Sequence, residues 1–166
     1  GSTLLMANVK DARRFDSAFG EKPSTLRIVD WTREPVLNSE HDARKRIYLV
    51  TPALFGTKAI KGEMIIYPPS TEAANHHHEG AAHFMYILTG SGTVYTNEAP
   101  FRVREGDVVY YPDGERHYLR SDATAEMRFV EADRGPLVVA FSEPGNFLLA
   151  VLPGLPAALA WMWNHR

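Results

Sequence analysis

From Arg46 onward the chain reads as a succession of short strand-like runs: RIYLVT, TKAIKGEMIIYPP, HFMYILTG, GTVYTN, FRVR, DVVYYP, HYLRS, EMRFVEA and PLVVAF. They are rich in β-branched and aromatic residues, and glycine, proline and asparagine fall between them. A cadence of one strand every ~8–12 residues is that of an all-β sandwich or barrel. Pro68 and Pro69 close the second run, and Gly90-Ser91-Gly92 reads as the turn of a hairpin. Before Arg46 the pattern is mixed and polar. DARRFDSAF reads as one or two helical turns, and STLRIVDW alternates as a strand would. After Pro144 the tail carries a short helical signal around residues 156–163, with Pro156 suited to a first turn.

The 166 residues are expected to form one domain. Its parts are an N-terminal extension over 1–45, a barrel over 46–143 and a C-terminal tail over 144–166 that belongs to the same domain. With 45% apolar and 23% charged residues, a buried core is available without staples. A net charge of −2 gives no electrostatic case for nucleic acid or an anionic membrane as partner. The absence of cysteine excludes disulfides and thiolate metal sites. The opening GSTLLMANVK lacks the basic start and long apolar run of a signal peptide, so a cytoplasmic location is expected. Phe147–Trp163 is apolar, but Pro153, Gly154 and Pro156 break it as a membrane span. Trp161 and Trp163, with Leu155 and Leu159, make it either a cap over one barrel mouth or a homodimer contact.

Chemistry concentrates in NHHHEGAAHFMYILTGSG, residues 75–92, which holds four of the seven histidines. On an extended chain successive side chains alternate, so His76 and His78 share one face and His77 takes the other. A barrel could bring His76, His78 and His83 to one interior point, joined by His117 from a later strand. HEGAAH has one residue too many for the helical zinc-protease signature, and Gly80 weakens a helix further. His41 and His165 lie in polar contexts and read as solvated.

The spacing resembles the cupin family. Its first motif, G(x)5HxH(x)3-4E(x)6G, is met by Ser70 at the first glycine, His76 and His78, His83 in place of the glutamate, and Gly90. Its second, G(x)5PxG(x)2H(x)3N, is met by Gly106, Pro112, Gly114 and His117, with Ser121 in place of the asparagine. The resemblance implies a double-stranded β-helix, or jelly-roll, barrel. It also implies one divalent transition metal held by His76, His78, His83 and His117. Iron is the first expectation, and manganese, nickel, zinc and copper also suit the donors. With His83 replacing the carboxylate, the ligands are four neutral imidazoles and the ion keeps its full charge.

Residues expected near the metal follow from strand parity. Met85 lies on the His83 face and Leu119 on the His117 face. Arg46, Tyr48 and Met64 lie on preceding strands, and Glu131 on EMRFVEA. Core packing or a surface ion pair is the alternative for each; Arg46 could grip a substrate carboxylate. The expected function is a metal-dependent enzyme acting on a small oxygen-rich substrate: a dicarbonyl, a hydroxyketone or a carboxylate. Dioxygenase chemistry leads on resemblance. Decarboxylation or isomerisation through an enolate is the alternative, and a non-catalytic small-molecule-binding module is the second class.

Overall fold

The computed structural model of the protein describes residues 28–133 in full, together with the backbone of the strands Leu4–Val9 and Leu137–Ser142. The expected helical turns over 11–19 and the helical tail after residue 144 lie outside the described residues. Eleven strands are described: β1 (Leu4–Val9), β2 (Leu37–Asn38), β3 (Lys45–Val50), β4 (Lys61–Tyr67), β5 (His83–Thr89), β6 (Ser91–Thr96), β7 (Ala99–Arg104), β8 (Val108–Tyr111), β9 (His117–Ser121), β10 (Met127–Asp133) and β11 (Leu137–Ser142). Nine of them overlie the nine runs read from the sequence. The one α-helix among the described residues is a single turn, Pro52–Phe55, with Thr51 as its N-cap and left-handed Gly56 at its end. No helix among the described residues is long and apolar enough to cross a membrane.

The strands form a six-stranded sheet in the order β2-β3-β4-β10-β5-β8, a three-stranded sheet β7-β6-β9 and a β1-β11 pair, with every pairing antiparallel. This is the jelly-roll arrangement the sequence implied. The main core lies between the two larger sheets: Ile65, Tyr67, Met85, Ile87, Val94, Val103, Leu119, Met127 and Phe129 are all buried there. Fully burying one such side chain contributes roughly 1.5–3 kcal/mol. A second layer, Ile47, Met64 and Ile66 with Leu49 and Leu88, is buried on the opposite face of the six-stranded sheet.

Three expectations are corrected. Gly90-Ser91-Gly92 is not a hairpin. β5 pairs with β10 and β8, whereas β6 pairs with β7 and β9, so the chain changes sheets at Gly90. Glycine is needed because φ is +80° and a Cβ would sit 2.6 Å from the Glu126 carbonyl oxygen. The true hairpin is β6–β7, where Asn97 and Glu98 both take positive φ in a two-residue turn. STLRIVDW is not a strand in its described part. Ile28–Asp30 is irregular, and Asp30 accepts from the Thr32 N–H (3.1 Å) and hydroxyl (2.7 Å), nucleating the 3₁₀ turn Trp31–Arg33. The strand in TKAIKGEMIIYPP starts only at Lys61. Upstream, the Thr57 hydroxyl accepts from the Ala59 N–H (3.1 Å) and turns the chain.

Candidate metal centre

The segment before β5 is irregular, yet it is fastened along β9. The Ala73 N–H donates to the Leu119 carbonyl (3.1 Å), and His76 and His117 exchange backbone hydrogen bonds of 3.0 and 2.8 Å. The Ser121 N–H donates to the Thr71 carbonyl (2.9 Å). Ser121, at the position where the family motif has asparagine, does a structural job. Its buried hydroxyl accepts from the Thr71 N–H (3.0 Å) and donates to the Pro68 carbonyl (2.7 Å). Ser70, at the motif's first glycine, takes φ +60°, the left-handed conformation that favours glycine. The second motif closes on the first where the Gly114 N–H donates to the His78 carbonyl (3.0 Å).

Extended pairing then sorts the side chains. His76 and His78 turn inward, while His77 is exposed and lies 3.5 Å from Glu79. His76, His78 and His117 each offer a ring nitrogen, and these lie within 4.8 Å of one another. The other nitrogens fix the tautomers. His76 Nδ1 donates to the Ala74 carbonyl and His117 Nδ1 to the Glu115 carbonyl, both at 2.8 Å, so each Nε2 keeps its lone pair. His78 Nε2 is buried and makes no hydrogen bond to any protein group. Burial pushes the His117 imidazole down to about 3, assisted by the neighbouring imidazoles against its bond to Glu115. Burial lowers His78 as well. Neutral, convergent, lone-pair-bearing nitrogens are what a transition-metal ion requires, and this group could hold one.

His83, buried at the start of β5, stands beside this group. Its Nδ1 is 3.1 Å from His117 Nε2, and its Nε2 is 3.2 Å from Glu131 Oε2. With its proton on Nε2, facing the carboxylate, His83 opposes a second lone pair to that of His117. Two such lone pairs repel unless a cation lies between them or His83 is doubly protonated. Two nitrogens each ~2.0–2.1 Å from one ion are separated by about 3 Å at a near-right angle, which matches the observed gap. Burial pushes Glu131 up, but the His83 contact, with Lys61 and Arg44 nearby, outweighs it and holds the carboxyl below its usual range.

The register of the six-stranded sheet builds the rest of the wall. One inward row runs Lys61, Asp133, His83, Tyr111 across β4, β10, β5 and β8; the next runs Glu63, Glu131, Met85, Val109 across the same strands. The third, Arg46, Ile65, Phe129, Ile87, is largely apolar. The result is a cavity of about 150 Å³ with the histidines on one side. The Tyr111 ring stacks on His117 at 4.0 Å and 13°, fixing its plane. Glu63, 3% exposed, pairs with Lys61 through Oε1 and lies 3.6 Å from Arg46 through Oε2. Burial raises its carboxyl, and the Lys61 hydrogen bond opposes the rise.

Of the residues expected here, Arg46, Met85, Leu119 and Glu131 line the cavity. Tyr48 and Met64 do not. Tyr48 lines a separate apolar groove with Leu37, Ala53 and Leu54. Met64 is one residue out of phase and is buried in the outer layer. The sequence reading missed Arg44, Lys61, Glu63, Tyr111 and Asp133. Parity from Ile65 would have found Lys61 and Glu63, but β4 is buried on both faces, so its polarity does not reveal which face is inner.

Residues 63–133, which contain all four histidines of the site, match the family model for the cupin domain. No curated protein gives a significant match. Solved structures share the fold at low identity. A protein from Thermotoga maritima described as a predicted oxalate decarboxylase superposes with a TM-score of 0.59 at 21% identity, covering 65% of this chain and 98% of that one. The polyketide cyclase RemF from Streptomyces resistomycificus gives 0.60 at 18%, over 68% and 84%. A sugar phosphate isomerase of the cupin superfamily from Silicibacter pomeroyi gives 0.57 at 14%, over 71% and 83%. The barrel thus shares its fold with these structures, and the stretch that carries the histidines matches the cupin domain.

Proposed function

We propose that the protein is a metal-dependent enzyme acting on a small oxygen-rich substrate, with His76, His78, His83 and His117 as the four ligands. The observation that carries this reading is the convergence of three imidazole nitrogens within 4.8 Å, among them the buried His78 Nε2 that makes no hydrogen bond. A bound divalent ion would supply Lewis acidity at the substrate oxygens, and iron would add oxygen chemistry. Around it, Glu131 holds the His83 Nε2 proton and so keeps Nδ1 free. Tyr111 keeps His117 in plane. Met85, Leu119 and Phe129 exclude water from the inner end.

Charge bears on the substrate. Arg44, Arg46 and Lys61 are matched in number by Glu63, Glu131 and Asp133 in the cavity wall, and imidazoles that bind a metal do so uncharged. The charge of the ion is then uncompensated, which favours a substrate that becomes anionic at the oxygens it presents. A dioxygenase is the first form of this reading, and isomerisation or decarboxylation through the same enolate is the second.

Metal analysis tests it. One divalent transition metal per chain is expected, lost in His76→Ala, His78→Ala and His117→Ala, weakened in His83→Ala and retained in His77→Ala. Protein that is purified without metal and takes up none on reconstitution would overturn the reading. Oxygen uptake with dicarbonyl and hydroxyketone compounds then separates the dioxygenase form from the other.

A further inference from the structure

Four buried side-chain polar atoms among the described residues make no hydrogen bond to the protein: His78 Nε2, Glu63 Oε2, Tyr111 Oη and Asp133 Oδ1. All four belong to residues that line the metal-site cavity. Leaving such an atom unpaired costs ~1–3 kcal/mol, so native proteins concentrate the exceptions where a ligand completes them. His78 Nε2 is accounted for by an ion. The other three atoms describe what lies beyond it.

Their positions follow from the sheet register. Asp133 and Tyr111 flank His83, one strand away on either side. Neighbouring strands are ~4.8 Å apart, so the two span roughly 10 Å with the metal-binding side chain at the midpoint. Glu63 lies in the next row, opposite Glu131. Tyr111 carries a phenol hydroxyl without a hydrogen-bond partner, so it offers a donor. Glu63 and Asp133 offer carboxyl oxygens that accept. The ligand must therefore bring hydrogen-bond donors to one end and an oxygen acceptor to the other.

We propose that the cavity selects a small polyhydroxylated carbonyl compound, of the ketose or hydroxyketone class, whose remote hydroxyls are read by Glu63, Asp133 and Tyr111. This rests on the metal-enzyme reading and narrows its substrate. A β-diketone with alkyl ends leaves Asp133 Oδ1 without a donor and Glu63 Oε2 with only its 3.6 Å ion-pair contact to Arg46. A dicarboxylate brings acceptors and no donors, so it satisfies neither Glu63 nor Asp133. An amine supplies donors but meets Lys61, Arg46 and the ion. Hydroxyls alone satisfy all three atoms without a charge penalty.

The test compares two probes with the same four-carbon α-hydroxyketone unit: erythrulose, with terminal hydroxyls, and acetoin, with terminal methyls. Binding is measured by calorimetry on protein reconstituted with zinc, after its metal content is confirmed. Erythrulose is expected to bind at least ~10-fold more tightly, since a site built for hydroxyls rejects the analogue lacking them. Asp133→Asn and Glu63→Gln should reduce that preference several-fold. Tyr111→Phe should do so as well, and it keeps the ring on His117 and removes a hydroxyl with no protein partner, so it should fold as the wild type does. Equal affinity for the two probes, binding of neither by metal-loaded protein, or a preference unchanged in all three variants would overturn the proposal. Protein that binds no metal yet still prefers erythrulose would overturn the metal reading and support only the recognition of hydroxyls by Glu63, Asp133 and Tyr111.

Discussion

Replacing Ser121 with alanine isolates what the second motif contributes to the first. The hydroxyl is buried, accepts from the Thr71 N–H at 3.0 Å and donates to the Pro68 carbonyl at 2.7 Å. Alanine fits the space but removes both bonds, leaving the Thr71 N–H with only its longer contact to the Pro68 carbonyl (3.3 Å) in a residue 6% exposed. Each of the two lost hydrogen bonds is worth ~0.5–1.5 kcal/mol net, so a loss of about 2 kcal/mol is expected. In a protein of this length that corresponds to a melting temperature lower by roughly 4–8 °C. The same bonds fasten the segment that carries His76 and His78, so metal affinity should fall with stability although no ligand is altered. Differential scanning calorimetry of metal-free protein gives the first quantity, and competition with a chromogenic chelator gives the second. A melting temperature within 1 °C of wild type would refute the role assigned to the hydroxyl. A full stability loss with unchanged metal affinity would refute its coupling to the site.

Gly90→Ala should be more damaging, by about 2–5 kcal/mol in urea denaturation. Its Cβ would lie 2.6 Å from the Glu126 carbonyl oxygen and 2.9 Å from Met127 Cα, with φ at +80°. Adding a chelator to metal-loaded protein should lower the melting temperature. At free metal 100-fold above its Kd the ion contributes about 2.7 kcal/mol, and no such drop is expected in His117→Ala. Low pH should also separate wild type from Arg102→Met. The Arg102 fork on Asp122, with the Ser91 hydroxyl, holds that carboxyl at about 2, below its ordinary 3.8. The pair's contribution is therefore present above pH 3.8 and lost as pH falls through about 2. Because Arg102 is 62% exposed it should be worth under about 1 kcal/mol, and acid titrations of the two proteins should converge near pH 2.

The strand cadence from Arg46 onward determined the all-β fold, because alternation and turn residues are local properties. The spacing of His76, His78, His83 and His117 marked the site, and parity placed His77 outside, because a two-residue period needs no knowledge of the partner strand. Pairing was not local in this sense. Gly90-Ser91-Gly92 has the residues of a hairpin turn, and only the contact with Glu126 and Met127 from β10 makes it a corner between sheets. On β4 the sequence does not show which face is inner, because a strand buried on both faces has no polar side; the Glu131↔Glu63 register puts Glu63, not Met64, toward the cavity. The sequence by itself marked the histidines that could hold a metal and placed His83 and His117 on strands, whereas His76 and His78 sit in an irregular segment fastened along β9. Only the tertiary structure decided which nitrogens keep their lone pairs, and that Glu63, Asp133 and Tyr111 face the same space. Those facts depend on atoms brought together across strands distant in the chain, and no pattern within one strand encodes them.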